Sequence, residues 1–360
     1  MIYNMSLFFH FINSDILSHI HKCNLKLIRK LHNKPIILGI ESSCDDTAFG
    51  IVDSNGNILG ESINSQYLTH LNFGGIIPTF ARSLHVNNIT KTCEDALRAA
   101  NLRIRDIDAI ATTVKPGLPM SLNIGTQFGK YLAKIGGKPF IPIHHMEAHA
   151  LTARINKKID FPYLALLISG GHCLLAIVEN VNKFYLLGTS LSNTPGDVFN
   201  KVARRLKLRN IPEFSTLNGG QAIELAATFQ LALTTHICQR TQRAMEFINK
   251  MSLFPENKQT LVISGGVACN NFLAKALNIV STELGYTFVR TPSKLCTDNG
   301  IMIAWNGVEK WIQNIDVIRD INEIEKIEAE KVATLGENWI KKVEEANLKC
   351  KWVKIKKKLF

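Results

Sequence analysis

The chain has 360 residues, 46% hydrophobic and 20% charged, enough to bury a sizeable core in two domains or two lobes; disorder and low complexity are excluded. Its formal charge of +12 sits at the ends: residues 1–34 carry +4 and residues 341–360 carry +6, which leaves +2 for the body, so a polyanion bound there must be met by a local patch. The eight cysteines form no C-x-x-C pair, which excludes a disulfide scaffold and a zinc knuckle and points to a reducing compartment. The longest apolar stretch, Tyr163 to Val178, is cut by Ser169, Gly170, Gly171 and His172, so no membrane insertion is expected.

Residues 1–34 are poor in acid and set Lys, Arg and His among Leu, Ile and Phe; they read as a mitochondrial transit peptide or a disordered arm. An N-terminal lobe is expected over 35–157. It opens on a hairpin, Ile36 to Asp53, whose turn ESSCDDT is of the kind that presents backbone N–H groups to an anion. The pattern then predicts a helix over Val86–Ala99, a strand over Asp108–Val114, a helix over Leu122–Ile135 and a strand over Pro139–Ile143, followed at once by HHMEAHA. The lobe boundary is placed near Lys157 to Pro162.

A C-terminal lobe is expected over 158–320. It opens on a second hairpin, Tyr163 to Glu179, about the turn SGGH, and carries a Gly-Gly turn, LVISGGVACN, that leads from a strand into a helix over Asn271–Leu277. Five cations in nine positions, Lys201, Arg204, Arg205, Lys207 and Arg209, form either a phosphate-binding patch or a solvated helix face. Residues 321–360 are expected to be a polar helical end and a basic tail, whose lysines around Trp352 can contact phosphates, although a charge run is more often simply solvated. The class is α/β. Two related hairpins plus a Gly-Gly strand-to-helix turn are similar to the layout of the actin/Hsp70/sugar-kinase group, two ribonuclease-H-like lobes around a central nucleotide cleft.

In a helix at about 100° per residue, His145 and His149 stand on one face, four residues apart, which is metal-ligand spacing. A zinc peptidase of the H-E-x-x-H type needs its base directly after the first His. Glu147 instead lies two residues from either His, about 200° round the helix, and faces away. A pair of packed histidines is the plain alternative. Asp298, in CTDNG, is the candidate third ligand; two imidazoles and a carboxylate leave open positions and suit iron or zinc better than magnesium. A soft-metal Lewis acid beside a nucleotide points to acyl or carbamoyl chemistry.

Taken together, IESSCDDTAFGIVD, GGIIPTFARSLH, PGLPMSLNIG, HHMEAHA, LISGGHCLLA, DVFNKVARRL, ISGGVACN and TDNGIMIAW resemble the tRNA N6-adenosine threonylcarbamoyltransferase family, most closely its mitochondrial branch, from about Ile36 to about Val317. The resemblance implies transfer of threonylcarbamoyl from threonylcarbamoyl-AMP to N6 of adenosine 37, just 3′ of the anticodon, in mitochondrial tRNAs reading codons that begin with A. It implies one divalent metal ion per subunit, iron or zinc, on His145, His149 and Asp298. It further implies that Ile168, Ser169, Gly170, Gly171 and His172 meet the adenylate phosphate and acyl group, that Gly220 and Asn270 hold the adenosine, and that Asn200 meets a ribose hydroxyl. No side-chain nucleophile is required, the matrix is the expected compartment, and a homodimer is compatible with the resemblance without a signature of its own.

Two departures stand out. The family has Asp where this chain has Asn200, which keeps an acceptor oxygen but loses a charge worth about 1 kcal/mol to that hydrogen bond. GGQAIEL also runs directly into AATFQLALTTHICQRT near residue 225, where the family has several dozen further residues. A missing exon and a genuinely shortened, catalytically impaired nucleotide-binding paralogue are the two explanations, the first preferred because both flanks match. A metallopeptidase is the remaining and weaker alternative.

Overall fold

The first strand is buried on both faces, which is why it reads as an unbroken apolar run rather than as an alternation. In the computed structural model, which describes residues 34–155, 157–208, 227–255 and 258–359, β1 (Ile36–Glu41) turns Ile36, Leu38 and Ile40 to one core and Ile37 to another. The expected leader, Gly220, Arg209 and the junction after Leu225 lie outside the described residues. β1 pairs antiparallel with β2 (Asp46–Asp53), and β2 antiparallel with β3 (Ile58–Ser65). Helices α1 (Tyr67–Asn72) and α2 (Pro78–Ala100) lead to β4 (Ala109–Lys115), parallel to β1; α3 (Pro119–Gly136) leads to β5 (Phe140–His144), parallel to β4. The sheet order is β3-β2-β1-β4-β5, with α2 and α3 packed on one face.

The same order is then repeated. After α4 (His145–Leu151), the strands β6 (Tyr163–Ile168), β7 (Cys173–Asn180) and β8 (Lys183–Thr189) form an antiparallel meander. Helices α5 (Pro195–Arg205) and α6 (Ala227–Lys250) precede β9 (Thr260–Ser264), which runs parallel to β6; α7 (Asn271–Glu283) precedes β10 (Thr287–Arg290), parallel to β9. The order β10-β9-β6-β7-β8 is the first sheet's order written from its other end. Two lobes each with three antiparallel strands and two parallel ones are the ribonuclease-H-like arrangement expected from the paired hairpins.

Between the sheets lie α4 and, after a single turn α8 (Ser293–Cys296), the long α9 (Gly300–Gln313). Met146, Ala148 and Leu151 of α4 and Ile301, Met302 and Val308 of α9 share one core with Ile37 and Val52 of the first sheet and Tyr163 and Ala165 of the second. Although encoded after the second sheet, α9 packs directly on the first. A Cβ on Gly50 would lie 2.3 Å from the Ile301 nitrogen, so β2 and α9 meet backbone to backbone.

Beyond α9 the chain returns along both lobes. Ile318 bridges Phe140 at the edge of the first sheet, and α10 (Ile321–Glu325) adds Ile324 to that lobe's outer core. The two-residue strand β11 (Glu337–Asn338) then pairs with β8 at the edge of the second sheet, and α11 (Ile340–Glu345) and α12 (Lys356–Leu359) follow. The expected polar end is therefore a strap held by single apolar anchors, with only short helices. Among the described residues no helix is long and apolar enough to cross a membrane.

Candidate metal centre

The site forms where β5 ends. The strand stops at His144, whose Nδ1 accepts from the Met146 N–H at 3.2 Å and caps α4, so His145 and His149 occupy the first and second turns of a helix aimed between the lobes. Both are buried, and their rings stand nearly perpendicular with centroids 4.7 Å apart. Asp298 arrives from the loop between α8 and α9. Its neighbour Asn299 fixes that loop, accepting from the Met302 N–H at 2.8 Å as the cap of α9 and donating to the Thr297 carbonyl at 2.7 Å. Asp298 Oδ1 lies 3.0 Å from His149 Nε2 and 3.5 Å from His145 Nε2. One ligand atom from each of the three residues lies within 4.8 Å of the others, and no second such cluster occurs among the described residues.

The residues that orient this cluster were not singled out from the sequence. Glu41, the last residue of β1, is fully buried. Its Oε2 lies 3.1 Å from His145 Nδ1 and accepts from Thr113 Oγ1 at 2.6 Å, while its Oε1 takes the Ser43 N–H at 2.5 Å. A carboxylate acceptor requires the proton on Nδ1, which leaves the Nε2 lone pair facing Asp298 and His149. Of the ESSCDDT turn, expected to offer its N–H groups to an anion, the Ser43 N–H is taken up by the chain's own carboxylate. An acid at a strand end is a faint signal; its partner 104 residues away leaves none.

The electrostatics match a cationic occupant. Burial pushes the Glu41 carboxyl upward, but the facing His145 more than reverses this and the net shift is downward. Burial likewise raises Asp298, and His145 and His149 overcome it, holding that carboxyl far below the usual carboxylate range. Burial alone would discharge His145, yet the Asp298 and Glu41 carboxylates lift it to about 9. Two imidazole nitrogens and one carboxylate oxygen converging on a point, with a buried acid behind one imidazole, fit a divalent ion with open positions. Glu147 is elsewhere: its carboxylate lies 3.3 Å from Lys310 Nζ, which also holds Asp316 at 2.8 Å. The peptidase reading has no base.

Of the other expected site residues, His172 brings the Ser169–His172 turn beside this centre. Ile168 is buried at the end of β6, and the Ser169–His172 turn closes on itself, Ser169 N–H donating to the His172 carbonyl at 2.8 Å and His172 N–H to Ser169 Oγ at 3.0 Å. Gly170 and Gly171 are exposed, and their N–H groups have no acceptor among the described residues. The His172 ring centroid is 6.2 Å from that of His145, and burial, then the two imidazoles, push His172 down to about 4, so it is neutral at ordinary pH. Thr194 Oγ1 donates to the Gly170 carbonyl and ties α5 to the turn. Gly265 adopts φ +97, where a Cβ would lie 2.3 Å from the Ile168 carbonyl oxygen, so only glycine lets the second Gly-Gly turn approach the first. Asn270 caps α7 through the Leu273 N–H at 2.9 Å and is held by Gln230 Nε2 at 3.0 Å. Asn200 is half-buried on α5.

The sequence model of the tRNA N6-adenosine threonylcarbamoyltransferase family matches residues 57–305. The mitochondrial tRNA N6-adenosine threonylcarbamoyltransferase of Homo sapiens is 43% identical over 378 residues, covering 89% of this chain and 91% of the relative. This chain belongs to that family. The probable mitochondrial member of Drosophila melanogaster is 35% identical over 380 residues, covering 88% of this chain and 93% of its own length. The bacterial member of Paramagnetospirillum magneticum is 35% identical over 322 residues, covering 76% and 91%. An alignment of 378 positions that draws on 89% of a 360-residue chain leaves several dozen positions of the human relative unmatched, in keeping with the shortened stretch after Leu225.

Proposed function

We propose that the chain transfers threonylcarbamoyl from threonylcarbamoyl-AMP to N6 of adenosine 37 in mitochondrial tRNAs that read codons beginning with A, and that it works in the mitochondrial matrix. The observation that carries this reading is the convergence of His145, His149 and Asp298 beside the Ser169–His172 turn in a chain of this family. His145 and His149 would hold the ion through Nε2 and Asp298 through Oδ1. When bound, an iron or zinc ion supplies Lewis-acid charge to the carbamoyl or phosphate oxygens. The free N–H groups of Gly170 and Gly171 are the donors available to charge developing on the leaving adenylate, with Ile168, Ser169 and His172 shaping the turn that carries them. Asn270 and Gly220 are assigned to the adenosine, and Asn200 to a ribose hydroxyl.

For the tRNA the reading assigns a cationic cluster at the end of α5. At the end of α5 Arg204 and Arg205, and just beyond it Lys207, are exposed, whereas Lys201 is drawn to Asp197 at 2.6 Å. Replacing Arg204 and Arg205 with Ala should weaken tRNA binding and flatten its salt dependence; unchanged binding and slope would discard the patch. A homodimer is part of the reading, with the exposed apolar group Leu68, Phe73, Ile77 and Phe80 on α1, α2 and their connection as its surface. The sedimentation mass of the full chain, and its halving in a Phe73→Ser, Phe80→Ser variant, tests that point.

The function itself is tested by genetic removal. Mitochondrial tRNA should lose the threonylcarbamoyl nucleoside, regain it with the full chain and not with His145→Ala. Persistence of the nucleoside without the gene, or rescue by His145→Ala, would refute the proposal.

A further inference from the structure

The C-terminal tail is fixed by a small number of contacts that leave its lysines outside. Val343 and Ile355 are buried in the second lobe's outer core, with Ala346, Leu348, Val353 and Leu359 packed against it. Gln242, buried in the middle of α6, clamps the strand-like stretch between them: its Nε2 donates to the Lys351 carbonyl at 2.9 Å and its Oε1 accepts from the Val353 N–H at 3.0 Å. Lys250 Nζ donates to the Ala346 carbonyl at 2.8 Å, and Lys358 pairs with Glu283 at the end of α7. What remains is unpaired. Lys349, Lys351, Lys354, Lys356 and Lys357 are exposed and have no carboxylate in ion-pair reach among the described residues.

Position along α6 gives these cations a direction. At its start α6 meets α5, where Phe199 and Phe229 stack edge to face and Gln230 holds Asn270, so the cluster of Arg204, Arg205 and Lys207 lies at that end. The clamp at Gln242 is 12 residues further along, about 18 Å at 1.5 Å per residue. Between them the exposed positions Thr228, Ala232, His236 and Arg240 repeat every four residues and include no acid. The clamp thus holds the lysine-bearing stretch on the part of α6 away from α5. The positions of the lysines are set when the chain folds, so binding does not have to order a free tail.

We propose that the lysine-rich tail, with Arg240, is a second contact for the tRNA phosphate backbone: the modified adenosine enters the cleft while the adjoining stem lies along α6 onto Lys351, Lys354, Lys356 and Lys357. This inference rests on the reading of the chain as a tRNA-modifying enzyme and adds where the rest of the tRNA is held. Phosphate contacts of this kind set affinity and orientation and carry no sequence information, so the tail should act on all substrate tRNAs alike.

The test uses the full chain carrying K351Q, K354Q, K356Q and K357Q, which keeps the anchors Val343 and Ile355. Binding to mitochondrial tRNA is followed by fluorescence anisotropy across a KCl series, and transfer by incorporation from threonylcarbamoyl-AMP at saturating tRNA. The salt slope should fall by about 0.7–0.9 for each phosphate that is no longer neutralised, and the affinity near physiological salt by tenfold or more, with kcat unchanged. The matching four-Arg variant should restore slope and affinity, which separates charge from folding damage. A Gln variant with the wild-type slope and affinity overturns the proposal. So does one that binds tRNA normally but no longer binds vesicles rich in anionic lipid, since the tail would then serve a membrane surface. Binding and transfer are read separately: a wild-type chain that binds tRNA through the tail and transfers nothing defeats the proposed reaction while leaving the tail contact standing.

Discussion

Replacing Glu41 with Gln isolates a single proton. In the native site Oε2 accepts from both Thr113 Oγ1 and His145 Nδ1, and Oε1 holds the Ser43 N–H. The amide keeps the Ser43 bond and the shape of the side chain but presents an NH2 where Oε2 stood. Thr113 adapts by rotating its hydroxyl to accept. His145 adapts only by giving up the Nδ1 proton, and a neutral imidazole then carries it on Nε2, which closes the ligand position facing Asp298. Restoring that position means reversing the tautomer against a buried donor. Removal of such an outer partner costs 10- to 100-fold in metal affinity, about 1.4–2.8 kcal/mol. The measurement is a competition titration of Zn²⁺ or Co²⁺ against a chromophoric chelator, beside the 15N shifts of the His145 ring in the metal-free protein at a pH above the value of about 9 at which that ring becomes neutral. Wild-type metal affinity together with an unmoved Nδ1 proton in Glu41→Gln would refute the argument.

Glu147→Gln should leave metal affinity unchanged, because Glu147 faces Lys310 rather than the site; Lys310→Met, which strands the mostly buried Glu147 while the half-exposed Asp316 turns to solvent, should cost about 3 kcal/mol in a denaturant titration. Gly50→Ala should lower stability by about 3 kcal/mol by driving a methyl group into the backbone of α9, and it should impair metal binding as a consequence, since Asp298 precedes that helix. Asp46→Asn tests a pH dependence. Burial, reinforced by the charges of Asp45, Asp298 and Glu41 and opposed by a hydrogen bond from Ser65, raises the Asp46 carboxyl to about 7. Its folded pKa exceeds its unfolded one, so the stability it contributes is complete below about pH 4 and lost as pH rises towards 7. Unfolding free energies of wild type and Asp46→Asn, from denaturant titrations across pH, should therefore diverge across that window in favour of the variant, by no more than about 4 kcal/mol at pH 7, and less with a cation on Asp298; parallel curves would count against it.

The hairpins, the crossover strands and the H-x-x-x-H helix were legible because their periods and turns are local. Tyr163–Ile168 is continuous apolar sequence whether or not its partners are known, and SGGH marks its turn. The pairing of His145 with Asp298 was legible only through chemistry, as two imidazoles in want of a third ligand. Glu41 was not legible, because a carboxylate buried behind a metal ligand is written like one exposed at a strand end. The placement of α9 was also hidden. Gly39, Gly50 and Gly300 are unremarkable in sequence, and only the fold shows that all three sit where a helix and a sheet touch through their backbones. The tail gave the opposite difficulty: its lysines were plain, while its anchors, Val343 and Ile355, are isolated apolar residues in a polar stretch with no period to disclose them.

That placement of α9 decides how the metal geometry is kept. His145 and His149 extend from β5 of the first lobe, and Asp298, encoded beyond the second sheet, is two residues from Gly300, whose backbone rests on Gly50 of β2. Glu41 and Thr113, which orient His145, belong to β1 and β4 of the same sheet. His145, His149 and their supports are thus fastened to the first lobe, whereas Asp298 joins α9, which rests on that lobe, to α8, whose Cys296 is buried in the core of the second. The glycine turns at Ser169–His172 and Gly265–Gly266 belong to the second lobe, at the ends of β6 and β9. In the proposed reaction the Gly170 and Gly171 donors would therefore face the ion from the opposite lobe, so that charge developing in the transition state would be met from both sides of the cleft.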